Sequence, residues 1–370
     1  MRKAVFLLIA LAIAAGASAQ NAGRVPQSLK NDPPPGSSRH ILESLPDRVA
    51  ASRQVLRTEL RTAALSMVEA PEYIIVGVTR RWPFDRSVRV AFRGGNDALY
   101  SKIEAAASTW ITIGRANVKL RFKNDAGQFY KWTSTDVAYA GEIRVAFSSD
   151  KANGGYWSHV GSDSTDRHIE GGSPNEASMN LDSFDIALPS DWRSIVIHEF
   201  GHALGFEHEH QNPQGGCDFR FDDDSGYVRT IDPDGYFSKD KAGRRPGLYT
   251  SLSGKANFWN QTKVDRNLRV LTNSSAFAVG PFDKLSVMKY YFEPDMFIAG
   301  AFSPCYSAHD ESGTLSAQDI AGVRSVYPAS NVEIDALNLR SVLILSALRD
   351  SPGASLRLQG IASQRLRALQ

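Results

Sequence analysis

The clearest alternation of apolar and polar side chains lies in SVRVAFR (87–93), where Val88, Val90 and Phe92 share one face. A period of two over this length predicts a half-buried strand. NVKLRF (117–122), EIRVAF (142–147) and the shorter ASMNLD (177–182) repeat the pattern and predict three more. Between the first two, Leu99, Ile103, Ala107 and Trp110 recur at helical spacing behind Asn96 and Asp97, either of which can cap a helix. A second helix is expected through WRSIVIHEFGHAL, capped by Ser190, with Asp191 in its first turn and a stop at Gly205. A third is expected at LSAQDIAGVRSVY (315–327), where Ser316 and Asp319 have capping-box spacing and Pro328 follows. Between them, 211–314 is rich in Gly, Asp, Pro and aromatics, with one helical pattern at FWNQTKVDRNL (258–268). Strand–helix–strand–strand order implies an α+β domain, a sheet with helices packed on it.

The ends of the chain read differently. Arg2 and Lys3 precede an apolar run from Ala4 to Ala15, then small residues ending Ala17-Ser18-Ala19. That is the form of a secretory signal cut after Ala19, and the run is too short to span a bilayer comfortably. Residues 20–80 form a candidate propeptide, opening with the Pro-rich NDPPPGSS (31–38) and holding one expected helix over Leu45–Val68. The Arg80-Arg81 pair before Trp82 reads either as a processing site or as two solvated arginines. The tail, 330–370, contains the apolar SVLILSAL (341–348), which fits a strand or helix packing back on the domain, or a docking tail.

Composition narrows the partners. Lys and Arg number 42 against 40 Asp and Glu, so no basic stripe suggests nucleic acid. After signal removal no stable membrane insertion is expected. Cys217 and Cys305 are the only cysteines. In an oxidising compartment they form either one disulfide or two separate buried thiols, and the bridge is favoured. Two acidic stretches, DDD (222–224) and DPDG (232–235), lack the twelfth-position carboxylate of a calcium loop and read as turns. Asn260 and Asn273 head glycosylation sequons.

The chemistry concentrates in VIHEFGHALGFEHEH (196–210), which holds four of the chain's eight histidines. His198 and His202 stand one helical turn apart and face a common point. Gly205 breaks the helix and lets His208 supply a third nitrogen from another direction. Three neutral imidazoles leave one tetrahedral position for water, the arrangement of a catalytic zinc. Glu199 places a carboxylate beside that open side.

HEFGHALGFEH resembles the H-E-x-x-H-x-x-G-x-x-H signature of the metzincin zinc endopeptidases. Phe206 and Glu209, together with SVMKYY (286–291), make it similar to the astacin branch. RWP (81–83), YWSHVG (156–161) and the helix at 315–328 add looser similarities, so the resemblance covers about 82–328. It implies a catalytic domain over 81–329: a twisted mixed sheet with two helices above the cleft, over a largely irregular lower subdomain with a C-terminal helix. It also implies one zinc ion on His198, His202 and His208, and Glu199 as general base toward a zinc-activated water. Tyr290 would ligate zinc at rest and swing to the oxyanion, Met288 would floor the site, and Glu209 would sense the mature N-terminus. The implied activity is a secreted endopeptidase acting on protein or peptide, with substrate along an edge strand.

The sequence departs from that family in three places. Residues 20–80 hold neither the F-x-G-D segment whose aspartate blocks zinc nor a cysteine to replace it, and Asp47 lacks the context. HQNPQGGCDF (210–219) replaces the usual continuation, and His210 has no ligand counterpart. Two cysteines are too few for the disulfide framework of the family's animal members. The competing readings are a secreted zinc-containing binding protein without proteolytic activity, against which Glu199 argues, and a related hydrolase confined to one partner.

Overall fold

The computed structural model describes residues 42–66, 79–84, 86–150, 152–270, 280–307 and 313–369. The expected signal peptide and the Asn273 sequon lie outside them. Helix α1 (Asp47–Ser66) precedes β1 (Ser87–Phe92), α2 (Asp97–Ala107) and a short α3 (Thr109–Thr112). Strands β2 (Lys119–Arg121), β3 (Tyr130–Lys131), β4 (Ile143–Ala146), β5 (Tyr156–Ser158) and β6 (Met179–Leu181) follow, then helix α4 (Trp192–Ala203). The sheet runs β2-β1-β4-β6-β5, with β3 also pairing β1. Every pairing is parallel except β5 on β6, which places an antiparallel strand at one edge.

The alternation expected in β1 is present, with Val88, Val90 and Phe92 essentially inaccessible. They pack with Leu99, Ile103 and Trp110 of α2 and α3 and with Val196, Ile197 and Phe200 of α4 in the main core. Strand β4 departs from its pattern, because Arg144, expected on a polar face, is fully buried. Its guanidinium donates to the carbonyls of Gly141, Glu142, Ser164, Gly171 and Glu176, tying the 164–176 segment to β4. Burial lowers its pKa to about 10. Asn96 is the cap of α2, its side chain accepting from the Leu99 amide at 3.0 Å. Helix α4 starts one residue later than expected, with Asp191 and not Ser190 at the N-cap. Asp191 reaches that position because Trp192 is the first residue to enter the helix.

The lower half contains α5 (Leu248–Ser253), α6 (Gln261–Leu268) and α7 (Ala317–Val326) joined by irregular chain. Phe219, Leu252, Trp259, Val264, Phe292 and Phe297 form its core, and Cys217 and Cys305 are bonded beside it, 88 residues apart. Asn260 caps α6 by accepting from the Lys263 amide. The DPDG stretch is a turn in which Asp232 Oδ1 accepts from the amides of Asp234 and Tyr236. The tail is a helical hairpin, α8 (Asn331–Asp350) and α9 (Leu356–Leu369), so SVLILSAL is helical. Among the described residues no helix is long and apolar enough to cross a membrane.

Candidate metal centre

The local sequence of α4 builds the site. Its eight residues from Val196 to Ala203 are buried, so the helix is driven between the sheet and the lower half, carrying His198 and His202 inward. Gly205 then ends it with φ +107°, the conformation that favours glycine. The amides of Gly205 and Phe206 bond back to the carbonyls of His202 and Gly201, a Schellman turn. That turn aims the Phe206 carbonyl at His202 and brings His208 round. The Phe206 ring stacks on Trp110, with centroids 5.4 Å apart.

Two hydrogen bonds fix which nitrogens face the centre. His198 Nδ1 lies 2.6 Å from the Val287 carbonyl, and His202 Nδ1 lies 2.6 Å from the Phe206 carbonyl. A carbonyl only accepts, so each Nδ1 carries the proton and each Nε2 presents a bare lone pair. The Nε2 atoms of His202 and His208 stand 3.1 Å apart. Ring nitrogens converging this closely could share a metal ion, and imidazoles presenting Nε2 suit zinc.

The fourth group is Glu43, which the sequence reading did not find. Its carboxylate lies 2.6 Å from His198 Nε2 and 3.1 Å from the Nε2 atoms of both His202 and His208. Glu43, His198, His202 and His208 form a group able to hold a metal, with ligand atoms within 4.8 Å of one another. Glu43 therefore reaches from the N-terminal segment to the point on which the three Nε2 atoms converge. Asp47, the other acid considered there, pairs with Arg266 at 2.9 Å. Burial works to raise the Glu43 carboxyl, but the histidines hold it well below the ordinary range.

Glu199 is buried, and its Oε2 has no hydrogen-bond partner. Burial first, and Glu43 second, push its carboxyl well above the usual range. Tyr290 is half-buried; its hydroxyl donates to Glu43 Oε2 at 2.7 Å and lies 3.0 Å from His208 Nε2. Burial, then Glu43, raise that phenol further. The neighbouring Tyr291 points elsewhere, its ring lying under Lys289 Nζ.

The 286–291 segment is tied to both flanks. Met288 accepts from the Glu209 amide through its carbonyl, and its side chain is buried against Gly201. Ser286 Oγ and the Val287 amide both donate to Asp319, which also closes the capping box of α7. Asp319 thus serves the helix cap and the turn that holds His198. Glu209 is half-buried, its Oε1 accepting from the Asp283 amide at 2.9 Å and Asn212 Nδ2 at 2.8 Å. His210, which the motif left without a role, is fully buried with Nε2 donating to the Asn267 carbonyl. Its ring stacks on His208 at 4.8 Å and lies tilted 4.7 Å from Tyr290, and burial pushes its pKa well down, so it acts as a neutral aromatic wedge.

Gly201 is required by this packing. A Cβ there would collide with Met288 Sδ and stand 2.9 Å from the Trp110 ring. Gly201→Ala is expected to destabilise the fold by about 1–3 kcal/mol through overpacking, despite alanine's better helix propensity. A urea midpoint equal to wild type or above it would show that the contact imposes no constraint.

No protein-family model and no curated relative matches the chain. Among solved structures it is similar to one described as "Structure of myroilysin", at 25% identity and a TM-score of 0.49, covering 68% of this chain and 97% of that one. A "Crystal structure of myroilysin" is similar at 24% identity and a TM-score of 0.38, covering 67% of this chain and 86% of the other.

Proposed function

We propose that this chain is an exported zinc endopeptidase of the astacin-like kind, kept latent by its own N-terminal segment. Glu199 carries the reading: a buried carboxyl, one oxygen unpartnered, beside a cluster of metal-ready imidazoles. A site that merely holds a metal has no use for such a group. His198, His202 and His208 bind the ion through Nε2. When bound, zinc supplies Lewis acidity, bringing the pKa of a water it holds toward about 7 and polarising a carbonyl. Glu199 accepts the proton of the attacking water and returns it to the leaving amine. Tyr290, once free of Glu43, donates its hydroxyl to the developing oxyanion. An extended peptide adds along β5, the antiparallel edge of the sheet.

Residues 20–80 act as the propeptide in this reading. Glu43 takes the position that a substrate carbonyl and its water need, and it also occupies Tyr290. One observation favours the rival reading of a zinc-containing binding protein: four protein ligands make a closed site, the form of structural zinc. Separating the two requires removing Glu43 from the site.

Purified protein should contain about one zinc per chain; a metal-free chain overturns the proposal. Cut between Ser66 and Thr79 and freed of the N-terminal fragment, it should digest a mixed peptide library, and a chelator should stop it. Zinc binding without any hydrolysis after that treatment selects the binding protein. Tyr290→Phe in the freed enzyme should lower turnover about 10–100-fold, the scale of one lost oxyanion donor or less, with zinc content unchanged. Activity loss that tracks metal loss assigns Tyr290 to metal retention instead.

A further inference from the structure

We propose that the C-terminal hairpin α8–α9 is a docking surface for helix α1, one that holds the N-terminal segment in place after the chain between them is cut. The hairpin has an apolar cluster of its own, separate from the main core: Ile344, Leu345, Leu348, Leu358, Ala362 and Leu366. Leu56 of α1 enters that cluster and is buried there. Arg357 of α9 stands between α1 and the body, 3.8 Å from Glu59 and 3.0 Å from Asp166. A groove of about 350 Å³ runs between Val55, Thr58 and Glu59 on α1 and Gly353 and Ser355 at the hairpin turn.

The same hairpin covers the junction where the segment joins the domain. Arg81 donates to Ser341 Oγ of α8 at 3.2 Å, and its carbonyl accepts from Arg365 of α9. Arg365 also donates to Ser162. Arg80 is buried and pairs with Asp163 at 3.2 Å and Glu207 at 3.1 Å. Arg53 of α1 pairs with the same two acids. Arg80 is therefore buried and Arg81 half-buried, both tied to neighbouring chain.

These contacts commit the surface to one occupant, residues 42–66. The segment is held at both ends: Leu42 enters the lower core and Leu56 the hairpin cluster, with Glu43 and Arg53 between them. Cutting elsewhere leaves all of these contacts intact, so cleavage and release become separate steps. The consequence for activity rests on the function proposed above; the docking does not.

The test uses the full chain with a site-specific cleavage sequence inserted between Ser66 and Thr79. After cutting, the N-terminal fragment should co-elute with the body in size-exclusion chromatography. Leu56→Asp should weaken retention at least about tenfold, from the loss of one buried leucine. If uncut Leu56→Asp does not fold, Leu56→Ala replaces it with the same expected direction. Immediate release of the wild-type fragment, or equal retention of the Leu56 variant, overturns the proposal. Retention is read by elution, so a chain that never hydrolyses peptide refutes the peptidase reading and leaves the docking result standing.

Discussion

A Glu199→Gln chain, cut and freed of its N-terminal fragment, is expected to bind about one zinc per chain and to hydrolyse peptides about 10³-fold more slowly than wild type. Glutamine keeps the shape of the side chain in a site that is 1% exposed, so packing around α4 should survive. His198 and His202 are oriented by the Val287 and Phe206 carbonyls, and Glu199 takes no part in either bond. What glutamine removes is the ability to accept a proton from the attacking water. The loss should fall in turnover at unchanged zinc content, measured on the same preparation. Near-normal hydrolysis would mean that another group serves as base; among the described residues Glu43 is the acid grouped with the three histidines, and it leaves with the fragment.

The parts of this site legible in the sequence are those set by local geometry. His198 and His202 are one helical turn apart, Gly205 terminates the helix, and His208 follows within the same turn. Each relation is fixed over a few residues, so spacing alone conveys it. Asp319 was half legible: the capping box at Ser316 carries Asp where Glu is usual, and the shorter side chain also meets Ser286 and Val287. Glu43 was not legible at all. It is one glutamate in LESLP, and its contact with His208 spans 165 residues with no periodicity linking them.

The fold divides along the same line. The alternation of β1 reports a strand with unequal faces, and α1 lies within the expected Leu45–Val68. β4 is buried on both sides, so its alternation misplaces Arg144, whose charge is met by backbone carbonyls scattered over 141–176. SVLILSAL hides its helical period because α8 is covered on one side and bears leucines on the other: Leu345 and Leu348 are buried, while Leu343 is 64% exposed. A pattern argument needs one wet face and one dry face, and that segment offers apolar residues to both.

Glu43→Ala in the uncut chain is expected to raise peptide hydrolysis about 100-fold over uncut wild type. Removing one partner from a buried charge cluster costs about 3–5 kcal/mol, and even the lower figure shifts a closed-to-open equilibrium by more than 10². The substitution removes the carboxylate from three imidazoles and returns the Tyr290 hydroxyl, which otherwise donates to Glu43. Zinc should remain, since His198, His202 and His208 are untouched. Activation should stay below that of the cut and freed enzyme, because Leu42, Arg53 and Leu56 still hold the segment across the cleft. A short peptide should gain more than a folded protein, as the first needs only the metal position and the second needs the whole edge of β5. If uncut Glu43→Ala is as silent as wild type while the freed enzyme is active, the segment blocks by coverage alone and its carboxylate is incidental. If Glu43→Ala instead loses zinc, Glu43 is a resident ligand and the centre is the closed, structural kind.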